Sequence, residues 1–402
     1  MRGRVGEGGI LTRARKNVVL LTLAQALAMT GTIINATTSA LAGYELASDK
    51  SLATLAVALQ FTATMLTTVP ASMLMARIGR RPAFMLGAAS QFVGALTAAG
   101  ALMIGEFWIF CLCGLFLGVA NGFSIYYRFA AADTADDAFR PKAISLVLAG
   151  GVAAALVGPE FARWSRDLLL PYTYAGTFVT LAAMAVINVL VLSRLDIPKP
   201  ARARFTGGRP LFVIAAQPLF LVAVATGMVA YGTMSLLMTA TPLAMAACSW
   251  RFEDSAFVIQ WHALGMFAPA FFTGHLIKRF GVLAVMQTGA ALVAVCLAVD
   301  LSGVTVANFW VGLALLGVGW NFMFVGATTL LTETYRPEER AKVQAINDFC
   351  VFSATATAAF SAGALQYHVG WQVMNWGVAP LIAATVVGLL LVRRAHRRPA
   401  VA

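Results

Sequence analysis

Apolar residues run for about twenty positions at a time along this chain, and the polar residues gather in short clusters between the runs. A helix rises about 1.5 Å per residue, so crossing a hydrocarbon core of about 30 Å takes roughly 20 apolar residues. The runs predict twelve spans, near 17–43, 52–76, 82–104, 107–130, 143–161, 172–192, 213–246, 255–277, 282–300, 306–331, 342–367 and 371–392. A β-barrel would show alternating segments of about ten residues. These runs are longer and do not alternate. The first exceeds the roughly 7–15 apolar residues of a cleavable signal, so it is expected to stay in the membrane. The predicted fold class is all-α integral membrane, with twelve transmembrane helices.

Composition agrees with that pattern. Of 402 residues, 60% are hydrophobic and only 11% are charged, against about a quarter charged in soluble domains. Too few polar residues are present to clothe a surface facing water, so lipid is the expected neighbour. The net charge of +12 raises the question of an acidic partner such as nucleic acid. The basic residues lie in clusters between spans and not along one face, which argues against it. Twelve spans put both termini on one side, and 24 of the 29 Lys and Arg residues fall on that side. The opposite loops hold four, Lys50, Arg163, Arg166 and Arg251, and Arg128 lies within span 4. The positive-inside rule then places both termini in the cytoplasm. The five cysteines carry no metal-ligand pattern and read as buried free thiols.

The two halves echo each other about 200 residues apart. "ARIGRR" after span 2 matches "KRFGVL" after span 8, pairing Arg77 with Arg279 and Gly79 with Gly281. "LGVANGF" in span 4 matches "LGVGWNF" in span 10, and "FRPKAISL" before span 5 matches "ERAKVQAI" before span 11. A basic stretch rich in Pro and Gly separates the copies. The expected organisation is a six-helix bundle over 1–192, a linker over 193–212 and a second, pseudo-symmetric six-helix bundle over 213–402. Secondary transporters are commonly built from such repeats, with substrate sites near the bilayer midplane.

These motifs resemble the major facilitator superfamily across nearly the whole chain. The family's loop signature, Gly-x-x-x-Asp-Arg-x-Gly-Arg-Arg, meets Ser72, Ala76, Arg77, Gly79, Arg80 and Arg81 here. The second copy has Gly274, Lys278, Arg279 and Gly281. Neither copy keeps the acid that helps latch the halves on the cytoplasmic side. The resemblance implies substitutes: Asp133 as partner of Arg80, and Glu333 for Arg279, with Arg77 in the same gating set. "WHALGMFAPAFFTGHLIKRFG", "LMTATPLAMA" and "YRPEERAKVQAINDF" are similar to a narrower bacterial branch that includes riboflavin transporters, which implies a bacterial inner membrane.

Polar residues inside spans are costly and usually face a cavity or a partner. In span 4, Asn121, Ser124 and Arg128 stand at helical spacing on one face. Arg128 either meets an acceptor or anion on the substrate, or snorkels to the interface, or pairs with Asp133 or Asp137. Span 1 offers Gln25, Thr32 and Asn35, and span 7 offers Tyr231, Ser235 and Met238. Span 10 offers Asn321, Phe324 and Thr328, with Trp320 beside them. By the resemblance, spans 1, 4, 7 and 10 line the cavity. Amides both donate and accept, and Tyr and Trp rings can cover a heteroaromatic face. The competing reading for each is an interhelical hydrogen bond. His262 in span 8 is either a proton carrier, as its ordinary pKa near 6.5 allows, or a structural group.

The cavity spans carry no mid-span acid, which argues against an exporter of cations. The leading reading is a secondary active or facilitative transporter of a small neutral or weakly anionic aromatic solute, with riboflavin uptake its sharpest form. Export of amphipathic drugs or metabolites shares the fold. An integral membrane enzyme is a distant alternative, since no H-E-x-x-H motif, nucleophile constellation or phosphate loop occurs. No cofactor, bound metal or nucleic-acid partner is expected. The expected partners are a small-molecule substrate, the lipid bilayer and a coupling proton, and the expected state is a monomer.

Overall fold

The computed structural model describes residues 4–136, 139–197 and 208–397. Lys199, Arg202 and Arg204 of the expected linker, with Arg2, Asp137 and Arg398, lie outside the described residues. The described chain is helical throughout: α1 (Arg4–Leu46), α2 (Leu55–Ile78), α3 (Arg80–Ile104), α4 (Phe107–Ser124), α5 (Tyr127–Thr134), α6 (Arg140–Ser165), α7 (Ala175–Leu192), α8 (Leu211–Ala215), α9 (Pro218–Ala247), α10 (Phe252–Phe267), α11 (Ala270–Phe280), α12 (Val282–Ser302), α13 (Val306–Thr332), α14 (Arg340–His368) and α15 (Gly370–Arg397). Among the described residues eleven segments are long and apolar enough to cross a membrane, and α10 with α11, bent by 44°, counts as a twelfth where the pair is taken as one span.

Contacts divide the chain into two compact units, Met1–Ser48 with Leu59–Arg202, and Asp49–Ala58 with Ala203–Ala402. In the first, α1 packs on α6 and α7, and α3 packs on α4 and α7. In the second, α9 packs on α14 and α15, and α12 packs on α13 and α15. The sequence repeat is therefore also a repeat of neighbours. Glycines carry it into detail. A Cβ at Gly118 would meet Ala63 Cβ of α2 at 2.6 Å. Its counterpart Gly317 faces α10, where a Cβ would meet Gly265 C at 3.0 Å. Small residues thus let α4 approach α2 and α13 approach α10, as membrane helices require where lipid supplies no hydrophobic drive.

Gly79 and Gly281 repeat a backbone device. Gly79 has φ 97° and ψ 163°, Gly281 has φ 85° and ψ 151°, a region that only glycine adopts readily. Each donates its N–H back into the helix it ends, to Met75 O at 3.0 Å and Ile277 O at 2.9 Å. The next helix then starts at once with no loop.

Three spans differ from the continuous helices the runs predict. Span 7, expected over 213–246, divides into α8, which ends at Ala215, and α9, which begins at Pro218. Span 4 pauses at Ile125–Tyr126: Ser124 Oγ bonds Asn121 O at 3.0 Å, and Tyr126 N reaches only as far back as Phe123 O, at 3.1 Å. Span 8 breaks at Ala268–Pro269, because Pro269 has no N–H for the ladder and its ring crowds the preceding turn. All five cysteines are free, but Cys248 at the end of α9 is exposed and Cys350 half-buried, so only Cys111, Cys113 and Cys296 are the buried thiols expected.

The described ends of the linker are tied down. Asn17 Nδ2 donates to Asp196 O at 2.7 Å, and Asp196 N donates to Asn17 Oδ1 at 3.0 Å. At the other end Glu339, fully buried, accepts from Arg209 N at 2.6 Å, Arg209 Nε at 3.0 Å, Arg209 Nη2 at 2.8 Å and Arg336 N at 2.9 Å. Those bonds, from the Arg209 side chain first and the Arg336 N–H next, hold the Glu339 carboxyl far below the usual range.

Candidate functional site

In the first unit, buried and half-buried polar side chains surround a small notch. Its lining includes Thr32, Asn35, Gln60, Gln91, Asn121 and Ser124. Asn35 Nδ2 donates to Gln60 Oε1 at 2.6 Å, and Thr32 Oγ1 donates to Asn121 Oδ1 at 3.4 Å. Gly31 lets Gln91 approach α1, since Gln91 Nε2 fills the place a Cβ would take. Asn35 Oδ1 has no partner among the described residues. The notch holds about 20 Å³, room for a water. Four amides converge there, each able to donate and accept.

In the second unit the equivalent region is aromatic. Trp320 stacks on Phe324, with centroids 5.3 Å apart and planes 14° apart. The half-buried Tyr231 sets its edge against both, at 5.1 Å and 4.8 Å, and Phe352 lies 6.0 Å from it. The indole Nε1 of Trp320 is unpartnered among the described residues. In the repeat register, "LGVANGF" against "LGVGWNF", Asn121 corresponds to Trp320. One helical position thus carries an amide in one unit and an indole in the other.

Some expected site residues lie elsewhere. Arg128 is exposed beyond the pause in span 4, its guanidinium 4.8 Å from the Phe129 ring centroid, and not in the notch with Asn121 and Ser124. The broken helix ends the common face on which the three were placed. Gln25 is half-buried on α1, outside the notch lining. Asn321 is buried and spans the break in span 8: Nδ2 donates to Met266 O at 2.7 Å and Oδ1 accepts from Thr273 Oγ1 at 2.7 Å. It bridges the two helices that Pro269 separates. His262 is fully buried, and its Nδ1 donates to Leu313 O at 2.9 Å. Its Nε2 has no partner among the described residues. Gln60 and Gln91 are additions that the reading of spans 1, 4, 7 and 10 passed over.

At the loop after α2, the buried Arg80 guanidinium pairs with Asp133 and donates to Phe129 O at 3.4 Å. Arg77 is exposed. Among the described residues no ion pair joins Arg279 to Glu333; both are exposed, and Arg279 lies 5.2 Å from the Phe280 ring centroid. The register explains this, because Arg80 corresponds to Val282, so the second copy lacks the arginine that reaches inward.

The sequence matches the profile of the Major Facilitator Superfamily over residues 21–259 and 224–402. The chain belongs to this superfamily. It is a multi-pass, all-α membrane transporter. Riboflavin transporter RfnT of Brucella anthropi is 41% identical over 383 residues, covering 94% of this chain and 96% of that protein. Two Bacillus subtilis proteins described as uncharacterized MFS-type transporters are more distant. YddS is 25% identical over 79% of this chain and 75% of its own length, and YdeG is 23% identical over 77% of each.

Proposed function

We propose that this transporter takes up riboflavin across a bacterial inner membrane, by alternating access of the two bundles and with both termini cytoplasmic. The observation that carries the reading is the 41% identity to a riboflavin transporter over nearly the full length of both chains. The chemistry of the two units supports it. Riboflavin has a broad heteroaromatic ring system with a donor-and-acceptor edge and a hydroxylated tail. The amides Asn35 and Asn121, with Ser124 and Gln25, suit the edge and tail, and Tyr231 and Trp320 suit the ring face. The 20 Å³ notch is too small for the ring system, so its amides act as a polar wall and not as an enclosing pocket.

Arg128 supplies a cation at the end of span 4 for an acceptor on the solute. Asn321 holds the bend of span 8 and so places Trp320, its neighbour in sequence. His262 is the candidate for carrying a coupling proton on span 8. The pair Arg80–Asp133, with Arg77, gates the first bundle on the cytoplasmic side. Arg279 and Glu333 are exposed and available to a gate in another conformation. The bundles are taken as 1–192 and 213–402, joined by 193–212, and the working unit is a monomer without cofactor or catalytic activity.

The test is growth of a bacterium that lacks both flavin synthesis and flavin uptake, on low external riboflavin. Expression of this chain should restore growth. Failure in cells that display the protein in the membrane would overturn the substrate assignment.

A further inference from the structure

A carboxylate is buried in the second unit where nothing in the proposed function uses it. Asp300 stands in the last turn of α12 and is fully buried. Its Oδ2 accepts from Cys296 Sγ at 3.5 Å, and its Oδ1 has no partner among the described residues. That free oxygen points at α13, where it fills the place a Cβ on Gly312 would take. The glycine makes room for the carboxyl group.

The neighbours offer no countercharge. On α12 itself the other titratable residue is Cys296, one turn earlier. α13 contains no titratable residue along its whole length. α15 carries its basic groups in its last turns, and Arg393 there donates to Gln287 in the first turns of α12, the opposite end from Asp300. α11 ends in His275, Lys278 and Arg279, immediately before α12 begins, again at the far end. Across α13, His262 bonds Leu313 O, the residue after Gly312, from the α10 side. Two buried ionisable side chains therefore flank α13 at adjacent positions, each with an atom that has no hydrogen-bond partner among the described residues.

We propose that Asp300 is a proton-binding site of this transporter, with the proton exchanged only when the α12–α13 contact at Gly312 loosens. An ionised carboxylate without a cation is strongly disfavoured in a dry apolar site, whereas the neutral acid is tolerated. In the closed arrangement Asp300 holds a proton on one oxygen. When α13 moves off it, water reaches the group, the O–H bond breaks and the proton passes to solvent, leaving the carboxylate. Re-closure requires reprotonation. Protonation and the packing of α13, the helix that carries Trp320, are thereby linked. The link to flux rests on the transporter reading; the proton site itself does not depend on riboflavin being the solute.

Infrared spectroscopy of the purified protein in lipid nanodiscs tests the site without any solute. Wild type should show the C=O band of a protonated carboxylic acid at neutral pH, and Asp300→Asn should lack it. Cys296→Ala, which removes the thiol that donates to Asp300 with a small volume change, should shift the band. A wild-type spectrum without the band, or a band indifferent to both substitutions, overturns the proposal. In proteoliposomes, uptake by wild type should vary with pH and Asp300→Asn should flatten that profile. An unchanged profile alongside a lost infrared band would sever the proton site from transport.

Discussion

Gly281 and Gly274 stand seven residues apart, and in both cases an added Cβ would meet no atom within 4 Å. Replacement by alanine therefore creates no clash at either, and the outcome rests on the backbone alone. Gly281 sits at φ 85°, ψ 151°, where a residue with a Cβ pays about 1–3 kcal/mol. Gly274 lies inside α11, where alanine is favoured over glycine by about 0.5–1 kcal/mol. The two substitutions should thus differ by about 1.5–4 kcal/mol and have opposite signs. Thermal unfolding of the purified protein, followed by intrinsic fluorescence, reads this directly. Gly281→Ala should unfold below wild type, and Gly274→Ala at or above it. Because Gly79 repeats the same conformation, Gly79→Ala should fall with Gly281→Ala. A Gly281→Ala midpoint equal to wild type, or a common fall for Gly281→Ala and Gly274→Ala, would refute the argument that backbone conformation makes the turn between these spans.

A double-mutant cycle over Arg80→Ala and Asp133→Ala should give a coupling of about 0.2–1 kcal/mol, since the Asp133 side chain is 59% exposed and well screened. The Arg80 change alone should cost more, because it also removes the bond to Phe129 O. Asn321→Ala removes two interhelical hydrogen bonds, at about 0.6 kcal/mol each in a membrane protein, and should lower the unfolding midpoint while broadening spin-label distances measured across α10 and α11. Glu339 is held below its ordinary value of 4.5, so its contribution to stability is complete above that value and is lost as pH falls from there toward the lower folded value. Glu339→Gln should therefore remove part of the acid-side decline in the melting midpoint; an identical decline in both proteins would rule that role out.

The helices were legible because lipid demands long apolar runs and the loops between them hold most of the basic residues. The repeat was legible too, since short motifs at a common offset mark a duplication even where each match is weak. The breaks were not. Pro269 lies in a run as apolar as its neighbours, and many membrane helices absorb a proline with only a kink. Asn321 shows the same gap in the site: an amide facing a cavity and one bridging a neighbour's carbonyl read alike until Met266 O is placed beside it. Gln60 and Gln91 carry a signal, a costly amide in mid-span, but they lie in spans 2 and 3, outside the four spans that the family resemblance assigns to the cavity. The absence of an Arg279–Glu333 pair was readable in the register, where Val282 stands in place of Arg80. The converse holds for Glu339, three of whose four bonds come from Arg209, 130 residues away, and leave no local pattern.

The central claim is that this chain moves riboflavin. The most direct measurement is flux of radiolabelled riboflavin into proteoliposomes holding the purified protein, with protein-free liposomes as baseline. Saturable accumulation above baseline is expected, inhibited by excess unlabelled riboflavin and reduced by Trp320→Ala. Uptake no greater than in protein-free liposomes, from protein that remains folded, would contradict it.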